Sequence, residues 1–239
     1  MGGTHVDDIL STGDYAGLDH TIQTLNSKFE IVAKLNPEII TGVQIVRDRK
    51  MKFLKLHQGQ YIRELLEARG MLDCEAVDTP MDPATARALM LLPVDKVDAS
   101  SISKFQSLVG CLLWLSKTRH DIAFATNLLA RFTLVASREH LTFAMRVLRY
   151  LKDTIENGIV FLAGFKEDGI ITGQADADFA GNLNSSWSTS EGFLKLGTIY
   201  CKSSLEKKIS TSTGQAETYA LSSLVKDVVW TRQLAQEIR

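Results

Sequence analysis

The chain has 239 residues, 45% of them apolar and 23% charged, with a formal net charge of −1; this is ordinary for one large or two small globular units, and no global excess of positive charge points to nucleic acid. No membrane is implied, because the longest unbroken apolar run, residues 108–115, is far short of the ~20 residues a span requires. The polar, acidic start does not read as a signal peptide, Val6 stands where a myristoylation site needs Ser or Thr, and Cys74, Cys111 and Cys201, odd in number and far apart, suit a reducing intracellular compartment (cytoplasm or nucleus) rather than a disulfide framework or zinc site.

In chain order, residues 14–29 carry Ala16, Leu18, Ile22, Leu25 and Phe29 at helical spacing. Residues 39–46 and 52–56 read as two strands joined by the charged turn 47–50. Residues 60–69 form a second helix, stopped by Gly70 where a left-handed cap would sit. After Pro80 and Pro83 the composition loosens, and residues 82–100 read as a linker or long loop. Three helices follow over 102–116, 121–132 and 138–151, with Asp121 and Ser137 as N-caps of the latter two. From Gly158 the period changes to strands, expected at 159–162, 170–175, 193–200 and 207–210. A long helix over 215–238 ends the sequence.

Charge is uneven along this order. Between Lys117 and Lys152 seven bases (Lys117, Arg119, Arg131, Arg138, Arg146, Arg149 and Lys152) stand against two acids, Asp121 and Glu139. Between Arg47 and Arg69 seven bases face three acids. Such stretches are solvated faces in many proteins, but the excess of one sign also fits phosphate contact.

Two groups of carboxylates suit hard divalent cations, which take oxygen ligands. Asp7 and Asp8 are adjacent between apolar residues; an Asp pair is also what a polar turn supplies. Asp176 and Asp178 are two apart at the end of an expected strand and so project from one face. Glu217 lies at the start of the terminal helix with Ala220, Leu221, Leu224 and Val228 at +3, +4, +7 and +11. An acid on such a stripe is costly without a partner or metal, although a Glu exposed at the helix start accounts for it equally well. A strand-borne Asp meeting a helix-borne Glu is one way to assemble a two-metal nuclease site.

Several stretches together resemble the Pol polyprotein of copia-type LTR retrotransposons. They are Phe105-Gln106-Ser107-Leu108-Val109-Gly110, the run Thr118-Arg119-His120-Asp121-Ile122-Ala123-Phe124-Ala125, and Arg146-Val147-Leu148-Arg149-Tyr150-Leu151-Lys152. Asp176-Ala177-Asp178-Phe179-Ala180-Gly181 followed by Ser188-Thr189-Ser190, and Ala216-Glu217-Thr218-Tyr219-Ala220-Leu221 with Lys226 and Trp230, continue it. Val6-Asp7-Asp8-Ile9-Leu10, Tyr61-Ile62, Gly70-Met71 and Thr79-Pro80 precede them in the same order.

The resemblance implies an α/β (α+β) chain: a reverse-transcriptase palm remnant over 1–83, a helical thumb or connection region over 84–155, and the first part of a ribonuclease H-like α/β domain over 156–239. The implied activities are RNA-directed DNA polymerisation and cleavage of RNA in RNA–DNA hybrids, both using Mg²⁺ held by carboxylates. Asp7 and Asp8 match two polymerase carboxylates, while the third, with the first strand of the acidic hairpin, is expected upstream of this sequence. Asp176 and Glu217 match two ribonuclease H carboxylates, Asp178 is a further candidate metal ligand, and the third is expected beyond Arg239. The seven bases between Lys117 and Lys152 are the implied nucleic-acid contacts. His5 replaces a usual Tyr, His120 a usual Pro, Leu141 a usual aromatic and Gln215 a usual Glu. The expectation is a catalytically incomplete Pol-derived fragment whose partners are an RNA–DNA hybrid or other nucleic acid, the missing Pol segments or a second copy. The alternative is a domesticated, non-catalytic nucleic-acid-binding or protein-interaction scaffold.

Overall fold

A computed structural model describes residues 2–5, 7–93, 99–162, 171–181, 187–195, 200–206 and 208–237. Its elements are β1 (Gly2–His5), β2 (Asp8–Ser11), α1 (Tyr15–Asn26), β3 (Ile39–Ile40), β4 (Val43–Asp48), β5 (Phe53–His57), α2 (Gly59–Ala68), α3 (Pro83–Met90), α4 (Ala99–Leu115), α5 (Ala123–Ala130), α6 (Arg138–Asp153), β6 (Gly158–Leu162), β7 (Thr172–Asp178), β8 (Thr189–Lys195), β9 (Tyr200–Leu205) and α7 (Thr213–Glu237). Helix and sheet are mixed, as expected. The strands form three antiparallel sheets, β1-β2, β3-β4-β5-β6 and β7-β8-β9.

The main core is helical. Phe105, Leu108, Val109, Leu112 and Leu115 of α4 recur at steps of three and four and are all essentially fully buried. They pack with Ile62, Leu65 and Leu66 of α2, Leu89 of α3, Leu128 and Leu129 of α5, and Ala144, Val147, Leu148 and Leu151 of α6. Each large aliphatic side chain buried this way contributes about 1.5–3 kcal/mol relative to exposure. Because this core runs from Ile62 to Leu151, the expected boundary at 83/84 falls inside a single packed unit. β6 then pairs with β5, Leu56 opposite Ile159 and His57 opposite Gly158, so the strand after α6 returns to the earlier sheet. Gly158 is required there, since a Cβ would collide with the Leu56 carbonyl and lie 2.7 Å from the His57 Cβ.

Several expectations change. The hairpin strand expected upstream is present: Gly2–His5 pairs with Asp8–Ser11, His5 opposite Asp8. α1 stops at Asn26 rather than Phe29 and contains no buried residue; Phe29 is exposed. The expected linker at 82–100 contains α3. Pro83 occupies the start of that helix, where its missing N–H costs nothing, and the Asp82 carboxylate accepts from the Thr85 N–H at 2.8 Å. Asp121 sits in a short 3₁₀ turn and not at the cap of α5, which Ile122 occupies. β8 and β9 cover 189–195 and 200–205, where strands were expected at 193–200 and 207–210; the Ser- and Thr-rich segment lacks the alternation that marks a half-buried strand. Residues 196–199 lie outside the described part.

Other local expectations hold. Gly70 has φ +63, and the Met71 N–H donates to the Leu66 carbonyl at 2.8 Å, the closure that a left-handed C-cap supplies. Ser137 caps α6 in a box closed by His140, with the Ser137 N–H donating to His140 Nδ1 at 3.2 Å.

Candidate functional site

Asp7 and Asp8 are exposed in the turn and first strand position of the β1-β2 hairpin. Among the described residues that sheet contains only these two strands, and Ile9 and Leu10 beside the acids are about half exposed. The pair is therefore presented to solvent by a small hairpin that joins neither of the other sheets.

The other acids are governed by the pleat of β7. Ala177 packs on Ala216 and Ala220 of α7, with Ala175 beside them, and a Cβ on Gly173 would lie 3.0 Å from Leu224. Small side chains at every second position of β7 let the helix lie close against the sheet. Asp176 and Asp178 alternate with them and project from the opposite face. Arg131, which follows α5, reaches that face and donates to Thr189 Oγ1 at 3.1 Å; Thr189 is the cross-strand partner of Asp178. Burial pushes the Arg131 pKa down, and the Asp178 carboxylate opposes the shift. Asp178 also folds back over its own turn: Ala180 has φ +53, and a Cβ on Gly181 would overlap the Asp178 carboxylate.

Glu217 is the fifth residue of α7 and half-buried. The buried stripe of that helix is Ala216, Ala220, Leu224 and Thr231, whereas Leu221 is 55% exposed. Glu217 thus flanks the stripe, on the helix that covers the face opposite Asp176. The carboxylate that does meet Asp176 is Glu191, directly across the ladder on β8. Partial burial raises its pKa, and the nearby Asp176 and Asp178 charges raise it further. The strand expected from Phe193 left Glu191 outside, so only the register identifies it. Among the described residues, no group of three or more His, Cys, Asp or Glu side chains could hold a metal ion. Asp176 and Glu217 in this arrangement do not fit a shared Mg²⁺.

Among the described residues, five of the seven bases between Lys117 and Lys152 have partners within the chain. Arg119 is 1% exposed and bound to Asp121 and Thr154. Arg131 is held by Thr189 as above. Arg146 donates to Asp82 at 3.0 Å and Thr79 at 3.3 Å, Arg149 to the Glu75 carbonyl at 2.6 Å, and Lys152 to the Cys74 carbonyl at 2.5 Å. Lys117 and Arg138 are exposed. Arg47 and Arg49 line a groove of about 580 Å³ beside β3 and β4, together with Glu38 and His57; Arg49 donates to Asn36 there at 2.6 Å.

Comparison with known proteins decides the family. The chain is 32% identical over 241 residues to the retrovirus-related Pol polyprotein from transposon TNT 1-94 of Nicotiana tabacum, covering 98% of this chain and 18% of that protein. It is 30% identical over 237 residues to the corresponding polyprotein from transposon RE1 of Arabidopsis thaliana, covering 98% of this chain and 16% of the relative. The chain belongs with the retrotransposon Pol polyproteins. It spans less than one fifth of the length of these Pol relatives. An uncharacterized mitochondrial protein of Arabidopsis thaliana is 29% identical over 229 residues, and there the match covers 95% of this chain and 92% of that protein. No family model matches the chain, and no solved structure matches it.

Proposed function

We propose that this Pol-derived chain comes from the junction between the polymerase and ribonuclease H parts of a copia-type element, and that by itself it contacts an RNA–DNA hybrid without extending or cleaving it. One observation carries the non-catalytic part: Asp176 and Asp178 leave β7 on the face away from α7, the helix that bears Glu217. Asp7 and Asp8 belong to a separate two-stranded hairpin, and among the described residues no group of three or more His, Cys, Asp or Glu side chains is placed to hold a metal ion. Contact with the hybrid is supported by the exposed Lys117 and Arg138 and by the partly exposed bases of α6, because phosphate neutralisation by such side chains needs no assembled active site.

The test is a binding titration of the full chain with a hybrid duplex at several salt concentrations, with Mg²⁺ present and product analysis on the same samples. Binding that weakens steeply with salt, with RNA and primer left intact, is the expected result. Mg²⁺-dependent cleavage that disappears in Glu217→Gln would overturn it.

A second reading, a non-catalytic protein-interaction scaffold of Pol origin, is favoured by one finding. The uncharacterized mitochondrial relative matches over nearly its own whole length, so a chain of about this extent occurs as a protein in its own right. No hybrid binding at low salt, together with concentration-dependent self-association in sedimentation, would favour this reading over the first.

A further inference from the structure

The stretch between Met71 and α3 has no helix or strand, and of residues 72–82 only Met81 is buried. It holds four acids, Asp73, Glu75, Asp78 and Asp82, and no base. It runs along α6 where Arg146, Arg149 and Lys152, three residues apart, form one row. Its oxygens occupy that row: the Asp82 carboxylate and Thr79 hydroxyl on Arg146, the Glu75 carbonyl on Arg149, the Cys74 carbonyl on Lys152. These are the same acceptors, carboxylate and carbonyl oxygen, that phosphate oxygens replace.

We propose that residues 72–82 form an electrostatic latch over a phosphate-binding row on α6, so that a nucleic-acid backbone and this strap compete for the same three cations. The proposal rests on the hybrid-contact reading above. The contacts have the properties a latch requires. The Arg146 and Arg149 side chains are 27% and 35% exposed, so the row lies at the surface. The Glu75 side chain is 92% exposed, with its carboxylate 3.7 Å from Arg149, which makes it a weakly held counter-charge. The strap is fastened at its ends by Met71 and Met81, both in the helical core. Between them Cys74 packs against that core but no residue is fully buried, which places the strap at the low end of local stability.

Two measurements on the full chain test the latch with a short RNA–DNA hybrid duplex as probe. The triple variant Asp73→Asn, Glu75→Gln, Asp78→Asn keeps the Cys74 and Glu75 carbonyl contacts and the Asp82 cap, and its thermal melt serves as the control for folding. It is expected to bind the hybrid about fivefold more tightly than the parent at the same low salt, the scale of removing a few exposed like charges. Adding Arg149→Gln and Lys152→Gln should abolish the gain. In hydrogen exchange, the hybrid should speed exchange of the backbone amides of residues 73–79, which a purely structural clamp would not do. Equal affinity of parent and triple variant, or slower exchange in 73–79 on binding, would overturn the latch and leave hybrid contact standing. Absence of binding by both would remove hybrid contact and the latch with it.

Discussion

Replacing Arg119 with Ala is expected to lower the stability of the chain by about 3 kcal/mol, the low end of the scale for breaking a buried ion pair, because the Asp121 left behind is 34% exposed. The side chain is 1% exposed. Its Nε and one terminal nitrogen donate to the Asp121 carboxylate at 3.0 and 2.7 Å, and the guanidinium also binds the carbonyl and hydroxyl of Thr154 at 2.7 and 2.6 Å. Thr154 is the C-cap of α6, so one side chain ties the turn after α4 to the end of the last core helix. The Tyr150 hydroxyl donates to the same carboxylate at 2.7 Å, and its ring lies 5.6 Å from the Arg119 guanidinium. Arg119→Lys should recover only part of the loss, because an ammonium cannot reproduce the fork.

The pH dependence follows from the same contacts. Burial pushes the Asp121 pKa up, but the hydrogen bonds and charge of Arg119, with the Tyr150 hydroxyl, outweigh it and hold the carboxyl below its usual value. A carboxylate with a depressed folded pKa contributes stability above its unfolded pKa and loses it as pH falls through the folded one. The parent should therefore lose stability below about pH 4, and this component should be absent from Arg119→Ala. Denaturant melts across that range, read as a shift in midpoint at constant slope, provide the measurement.

His140 should produce the second large effect. It is 0% exposed and packs against Phe132 at 5.0 Å and Phe105 at 6.2 Å between ring centroids. Its Nδ1 accepts from the Ser137 N–H, which leaves the proton on Nε2, a buried atom with no hydrogen-bond partner among the described residues. His140→Ala should cost about 3 kcal/mol through the cavity and the lost cap. Protonation would put a proton on Nδ1 facing the Ser137 N–H, so the fold holds the ring neutral. Burial lowers the pKa from 6.5, and only the Glu139 carboxylate on the same helix opposes the shift. The unfolded chain then binds more protons below pH 6.5, and stability should decline as pH falls from there towards the folded pKa. His120 and His57, both lowered chiefly by burial, act in the same direction. In His140→Phe the slope should become shallower; an unchanged slope would assign it to the other two histidines.

The helical core was legible in the sequence because its signal is local. The spacing of Phe105, Leu108, Leu112 and Leu115, or of Ala144, Val147, Leu148 and Leu151, specifies both the element and its buried face. α3 was missed because Pro83 interrupts a chain as readily as it begins a helix, and only the Asp82 cap distinguishes the two. The acids show the limit more sharply. Asp176, Asp178 and Glu217 could be selected as residues, but a strand displaced by four residues hid Glu191, and a long helix does not disclose which of its sides meets the sheet. The bases on α6 were visible as a row of charge. Their partners lie 64 to 78 residues earlier in the chain, and composition carries no trace of that pairing.

Divalent-metal binding tests the central claim most directly. Mn²⁺ added to the full chain and followed by electron paramagnetic resonance should show only weak binding, unchanged by Glu217→Gln. A tight site lost in both Asp176→Asn and Glu217→Gln would show that the two carboxylates act together, and would contradict the arrangement of β7 and α7 described above.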